Sequence, residues 1–91
     1  MGVFFMKLEG KIFKANLNLA QHTVEKQIVG DSFVKDLEWC FVRLCRELEI
    51  PIPLWLDKNT TEFARFRQTI FFAEHFTDKV NFDRFQIKLL K

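Results

Sequence analysis

The chain has 91 residues, with 14 Lys and Arg against 12 Asp and Glu, and 48% of its residues are hydrophobic. This length accommodates one domain rather than two, so we expect residues 1–91 to form a single domain. The composition excludes intrinsic disorder, and a net charge of +2 with a pI of about 8.7 gives little support for a dedicated nucleic-acid-binding domain.

The first predicted elements are β-strands. Hydropathy alternates over residues 3–19, but the parity of the alternation changes around Gly10. This change predicts a tight turn after Glu9 or a bulge, followed by a half-buried strand over residues 13–19. A second, less regular strand is predicted over residues 23–29.

Residues 32–49 have the pattern of an amphipathic helix, which Asp31 or Ser32 can cap by accepting hydrogen bonds from the first turn. Its apolar stripe, about 100° wide, consists of Phe33, Leu37, Cys40, Phe41, Leu44 and Leu48, with Val34 and Cys45 at its edge. Pro51 and Pro53 force the chain to leave the helix in an extended conformation.

A short second helix is predicted over residues 60–67. Asn59 followed by Glu62 matches a capping box, in which Asn59 is the cap. Phe63 and Phe66 are then expected to turn inward.

The C-terminal third is predicted to contain a short extended piece over residues 70–72, a helical loop around His75 and a final strand. That strand is indicated by Phe85, Ile87 and Leu89, which alternate with polar residues. These elements predict an α+β fold, in which an antiparallel sheet of three or four strands packs on one long helix and a short second helix.

Part of the chain resembles small uncharacterised proteins of low-GC Gram-positive bacteria. The resemblance covers about residues 33–90 and is carried by the run Ile52–Asn59, with its Trp-Leu-Asp-Lys-Asn sequence, and by Glu62-Phe63, Phe71, His75-Phe76 and Phe82–Ile87. It implies a cytoplasmic, stand-alone bacterial domain, and it carries over no functional residue.

Twelve Phe and no Tyr are present, and this surplus predicts an apolar surface patch that self-association or another protein would cover. On the helical wheel Trp39 lies outside the apolar stripe, on the side of Arg43 and Arg46. We therefore predict these three residues as contacts for a protein partner or a second copy in a homodimer. Packing of Trp39 within the chain, or on a nucleic-acid base, is the alternative.

A weak nucleic-acid-binding function is the alternative to protein interaction. It would use Lys58, Arg65 and Arg67 on and beside the second helix, near Trp55. The competing interpretation, which we favour, is that Trp55 is buried and that Asp57 and Asn59 hold the turn through hydrogen bonds.

The sequence has no pattern of a catalytic or metal site. Cys40 and Cys45 lack C-x-x-C spacing and are predicted to be buried free thiols. His22 and His75 have no ligand spacing, and His75 is expected to bond to the backbone. We therefore predict a non-catalytic domain without a cofactor or metal, and, since no signal peptide or long apolar run is apparent, a cytoplasmic one without a membrane partner.

Overall fold

A computed structural model describes residues 4–28 and 32–90 of the protein. It has the predicted α+β fold, with a four-stranded antiparallel sheet of order β2-β1-β4-β3 and two helices. The elements are β1 (Phe5–Lys14), β2 (Leu17–Gln27), α1 (Phe33–Glu47), α2 (Asp57–Phe66), β3 (Gln68–Phe72) and β4 (Arg84–Leu90), with one 3₁₀ turn at Ala73–His75. The predicted cap Asp31, residue 3 and residues 29–30 lie outside the described residues.

The N-terminal third is one long hairpin, so the predicted turn after Glu9 is wrong. The chain reverses at Ala15 and Asn16, whose positive φ angles of 49° and 69° suit a two-residue hairpin turn. The strand predicted over residues 13–19 is therefore split between β1 and β2. A bulge does occur, but it lies at Leu19, because Ile12 pairs with Ala20 and Phe13 with Asn18.

Gly10 belongs to the inward row of β1 rather than to a turn. Residues 6, 8, 10 and 12 are all buried beneath the helices. A Cβ atom at Gly10 would lie 2.7 Å from Leu44 Cδ2 and 2.9 Å from Phe85 Cε1, so even an alanine there would force these core side chains to shift. The buried residues of β1 therefore keep one parity through Gly10, and the change in hydropathy there reflects only the missing side chain.

Helix α1 forms where it was predicted, within two residues at its C-terminal end. Ser32 is its cap and accepts a 3.2 Å hydrogen bond from the Lys35 amide. The stripe is buried along its middle, but its first member, Phe33, is exposed, and Val34 is 71% exposed. The apolar stripe is therefore wider than the part of it that the sheet covers.

Helix α2 begins at Asp57, earlier than predicted, and Asn59 lies inside it instead of capping it. Asn59 is fully buried; its Oδ1 accepts from the Leu56 amide, and its Nδ2 donates to Thr69 Oγ1 at 2.8 Å. Its side chain therefore joins the start of α2 to β3. Phe63 is buried as predicted, but Phe66 is 63% exposed, so its predicted inward orientation is wrong.

The core lies between the sheet and the two helices. It contains Phe71, Phe85 and Ile87 from β3 and β4, as the alternation of β4 predicted, together with the middle of α1. The opposite face of the sheet has no helix on it in the described part of the chain. No described helix is long and apolar enough to span a membrane.

Candidate functional site

A large concave feature lies between α1 and α2. Helix α1 packs on β1 and β2, whereas α2 packs on β3, so the two helices stand over different parts of the sheet. The space between them encloses about 640 Å³. It is lined by residues of α1, α2 and the segment that joins them, namely Phe33, Val34, Leu37, Glu38, Phe41, Val42, Ile52, Pro53, Trp55, Thr60, Phe63 and Ala64. We call this feature the α1–α2 groove.

Trp55 forms part of the groove and ties it to the core. Its ring meets the ring of Phe41 edge to face at 5.4 Å and that of Phe63 at 5.9 Å, and its Nε1 donates a 2.8 Å hydrogen bond to Thr60 Oγ1. The predicted structural role of Trp55 therefore holds, although the residue is half-buried rather than buried. Its polar nitrogen is satisfied, so the groove presents an apolar surface.

The segment between the helices is held in an extended conformation. Its two prolines cannot continue α1, and the Leu54 amide donates a 2.8 Å hydrogen bond to the His75 carbonyl. Pro53 is buried, while Ile52 and Leu54 are exposed. Ile52 lines the α1–α2 groove.

The rim of the groove is apolar and accessible. Phe33, Val34 and Ile52 are all at least half exposed, which is a poor arrangement for apolar side chains in water. Glu38 is the one charged side chain among the lining residues that the structure describes, and Thr60 is already bonded to Trp55. The electrostatic character of the groove is thus weakly acidic.

The predicted contact residues Trp39, Arg43 and Arg46 lie on the other flank of α1. Trp39 and Arg43 line a shallow depression against β2, of about 340 Å³, and Arg46 does not line it. Trp39 is 46% exposed, with Lys26 Nζ 5.9 Å from its ring centroid. Arg43 is paired with Glu47 at 3.4 Å. The three residues are thus only partly brought together.

An ion pair that the sequence did not reveal joins this flank to the sheet. Lys26 Nζ of β2 lies 2.9 Å from Asp36 Oδ1 of α1, and the Asp36 side chain is only 9% exposed. Asp36 Oδ2 is buried without a hydrogen-bond partner among the described residues. Asp36 directly precedes Leu37 of the apolar stripe, which is a sequence signal that its carboxylate lies near the core. The partner, Lys26, belongs to a different element, so the sequence did not indicate the pair.

The cations of the nucleic-acid alternative are spread along α2, and Lys58 and Arg65 lie beside different rings. Lys58 Nζ lies 5.3 Å from the centroid of the Phe72 ring, and the Arg65 guanidinium lies 5.8 Å from that of Phe66. Arg67 follows the helix with a φ of 57°. Lys58 and Arg65, seven residues apart, share one side of the helix.

The thiols and imidazoles occupy structural positions. Cys40 and Cys45 are buried free cysteines, as predicted. Burial raises the pKa of Cys45 to about 12 and also raises that of Cys40, so both thiols are protonated at neutral pH and neither is an activated nucleophile. His75 Nδ1 accepts from the Phe72 amide at 3.1 Å, which is the backbone contact predicted for it. Among residues 4–28 and 32–90, no group of three potential ligands could hold a metal ion.

The groove itself was missed by sequence reasoning. The surplus of Phe predicted an apolar patch, and Val34, beyond the stripe, was the local signal for its position. Comparison with protein-family models, curated proteins and solved structures gives no match for this chain. The bacterial resemblance therefore stays a prediction, and functional inference depends on the site itself.

Proposed function

We propose that this protein is a non-catalytic interaction domain that binds an apolar segment of another protein in the α1–α2 groove. The observation that carries the proposal is the groove's surface, in which Phe33, Val34 and Ile52 stay exposed around a floor of packed rings. A concave apolar surface between helices suits an amphipathic helix, whose apolar face would replace water there.

The charge of the groove specifies the occupant further. Among the described lining residues Glu38 alone is charged, so the segment that fits best has a Lys or Arg next to its apolar face. Helix α1 has 15 residues and is therefore about 22 Å long, which matches about four turns of a bound helix. The expected ligand is an amphipathic helix with one cation facing Glu38.

The proposal is tested by affinity capture from a bacterial lysate with three baits. The wild-type protein is compared with Val34→Lys, which puts a cation on the groove rim, and with Leu54→Lys, a matched change at an apolar residue that is 53% exposed but does not line the groove. Bound proteins are identified by mass spectrometry, and their binding segments are made as synthetic peptides.

The groove predicts that the captured segment is amphipathic and helical when bound. Its affinity should fall by about tenfold or more with Val34→Lys and stay unchanged with Leu54→Lys. Equal loss with both variants would contradict the proposal, and so would displacement of the peptide by dodecanoate, which would indicate a lipid site. A further variant, Trp39→Ala, tests the contact set predicted from the sequence, and loss of binding in that variant alone would support that set instead.

Self-association is a second candidate, favoured by the free edge of β2. Within the described residues β2 pairs with β1 alone, and it is 11 residues long. From Leu17 to Val24 it contains no Lys, Arg, Asp or Glu, the residues that commonly protect an edge strand from pairing. Leu17 and Leu19 are exposed on it. Two copies could therefore pair along β2.

Light scattering tests the second candidate through the molar mass of the purified protein. Pairing along β2 predicts a dimer that Leu19→Lys converts to monomer, whereas Leu54→Lys leaves it intact. A wild-type protein that is monomeric at all accessible concentrations would contradict self-association and leave the α1–α2 groove as the interaction surface.

A further inference from the structure

The face of the sheet that the helices leave uncovered has an ordered row of aromatic and cationic side chains. Phe13 of β1 is directly opposite Arg84 of β4, and Arg84 is directly opposite Phe72 of β3. Each of the three alternates along its strand with a buried core residue, so they project from the outer face. We call these three residues the aromatic row.

Contacts within the row produce flat, polarised surfaces. The Arg84 guanidinium carbon lies 4.4 Å from the centroid of the Phe13 ring, a distance at which the two planes can stack. At the other end, Phe72 is 39% exposed and has Lys58 Nζ 5.3 Å from its centroid. Because adjacent strands are about 4.8 Å apart, Phe13 and Phe72 are separated by about 10 Å.

Positive charge lies beside the row, and one acidic residue of the same face, Glu9 of β1, is directly opposite Lys88 in the sheet. Lys88, which is two residues along β4 from Gln86, is exposed on the same face. The ion pairs between described residues involve the outer-face lysines Lys7 and Lys11, at 3.9 and 4.0 Å, but not Lys58, Arg84 or Lys88. These three cations are therefore available to an external anion.

We propose that the outer face of the sheet binds single-stranded nucleic acid. Bases stack on Phe72 and on the outer plane of the Arg84 guanidinium, while Lys58 and Lys88 contact phosphates. The two stacking surfaces, Phe72 and the Arg84 guanidinium where it lies over Phe13, are two strand spacings or about 10 Å apart, which suits unpaired bases. An acidic peptide has no bases, and a duplex conceals them. This surface is independent of the α1–α2 groove, which lies on the other side of the sheet.

The test is fluorescence anisotropy with a labelled oligouridylate of about 12 nucleotides at about 50 mM salt. Phe72→Leu removes the ring and keeps apolar bulk, and it is expected to weaken binding by about fivefold or more. The matched variant Phe66→Leu changes an exposed Phe on α2 and should have no effect. Circular dichroism melts check that both variants fold.

A second pair of variants distinguishes binding at the aromatic row from attraction by the protein's positive charge in general. Arg84→Gln should weaken binding and reduce the slope of log affinity against log salt by about one unit. Arg65→Gln removes the same charge from α2 and should change neither quantity.

Three results would overturn the proposal. The first is no change in anisotropy on adding the protein to labelled oligouridylate. The second is an equal loss of affinity in Arg65→Gln and Arg84→Gln. The third is that polyglutamate of the same charge competes as effectively as unlabelled oligouridylate. The second would show that binding depends on charge in general and not on the aromatic row, and the third would indicate an acidic protein partner.

Discussion

The two flanks of helix α1 differ in polarity and in how far the rest of the chain covers them. The flank toward β2 is polar and is joined to the sheet by the Lys26–Asp36 ion pair, with Trp39 packed beside Lys26. The flank toward α2 is apolar and stays open, with Phe33 and Val34 facing the α1–α2 groove. The exposed apolar flank therefore has the character of an interface, and the polar flank that of a structural contact.

This difference has a topological cause. Helix α1 lies over β1 and β2, and α2 lies over β3 at the opposite edge of the sheet. The extended segment with Pro51 and Pro53 spans the distance, and Trp55 fills only the bottom of the space between the helices. Asp36, a polar residue beside the core, is thus structural, while the apolar side chains of Phe33 and Val34 stay uncovered.

The largest expected effect concerns the wall of the groove. Asn59→Ala removes hydrogen bonds to the Leu56 amide, Thr69 Oγ1 and the Ile70 carbonyl, and it empties the space of a fully buried side chain. We expect the free energy of unfolding to fall by about 3 kcal/mol. Urea denaturation measures this change, and a loss below about 1 kcal/mol would show that α2 is held by its apolar contacts alone.

On the polar flank, Lys26→Met should destabilise the protein by about 2 kcal/mol, because the buried Asp36 carboxylate loses its counter-ion. The double variant Lys26→Met/Asp36→Leu removes the unpaired charge and should recover most of that stability. If the single variant is as stable as the wild type, the polar flank is not a structural contact and the comparison between the flanks fails.

A pH-dependent effect is expected from Cys45, which is beneath the apolar flank. Its pKa is about 12 in the folded protein, against an ordinary value of 9.0. Above pH 9 the unfolded chain loses the thiol proton while the folded chain keeps it, so stability falls as pH rises from 9 toward 12. Between pH 8 and pH 10, the wild type should lose about 1 kcal/mol more than Cys45→Ala in urea denaturation. Equal losses would show that the thiol is accessible.

The smallest stability effect is expected on the groove rim. Val34→Lys should change the free energy of unfolding by less than about 0.5 kcal/mol, because the Val34 side chain is mostly exposed. A loss of about 2 kcal/mol in a thermal or urea melt would assign the rim to the folding core rather than to binding.

The sequence predicted the parts of this molecule that depend on local pattern. The cap at Ser32, the alternation of β4 and the backbone contact of His75 all follow from neighbouring residues. The failures depend on distant contacts: Gly10 is inward because Leu44 and Phe85 fill its space, and Asn59 is buried because Thr69 accepts its hydrogen bond. The groove is likewise a gap between elements, which periodicity within one element does not encode.

The most direct test of an open, binding-competent groove uses Trp55 as its reporter. In the Trp39→Phe variant, Trp55 is the remaining tryptophan, and it lines the groove. The variant is titrated with a synthetic amphipathic helix that has a leucine face and one lysine. The account predicts a saturable blue shift of Trp55 emission that Val34→Lys abolishes and Leu54→Lys preserves. Emission that stays constant at saturating peptide, or shifts equally in both lysine variants, would contradict it.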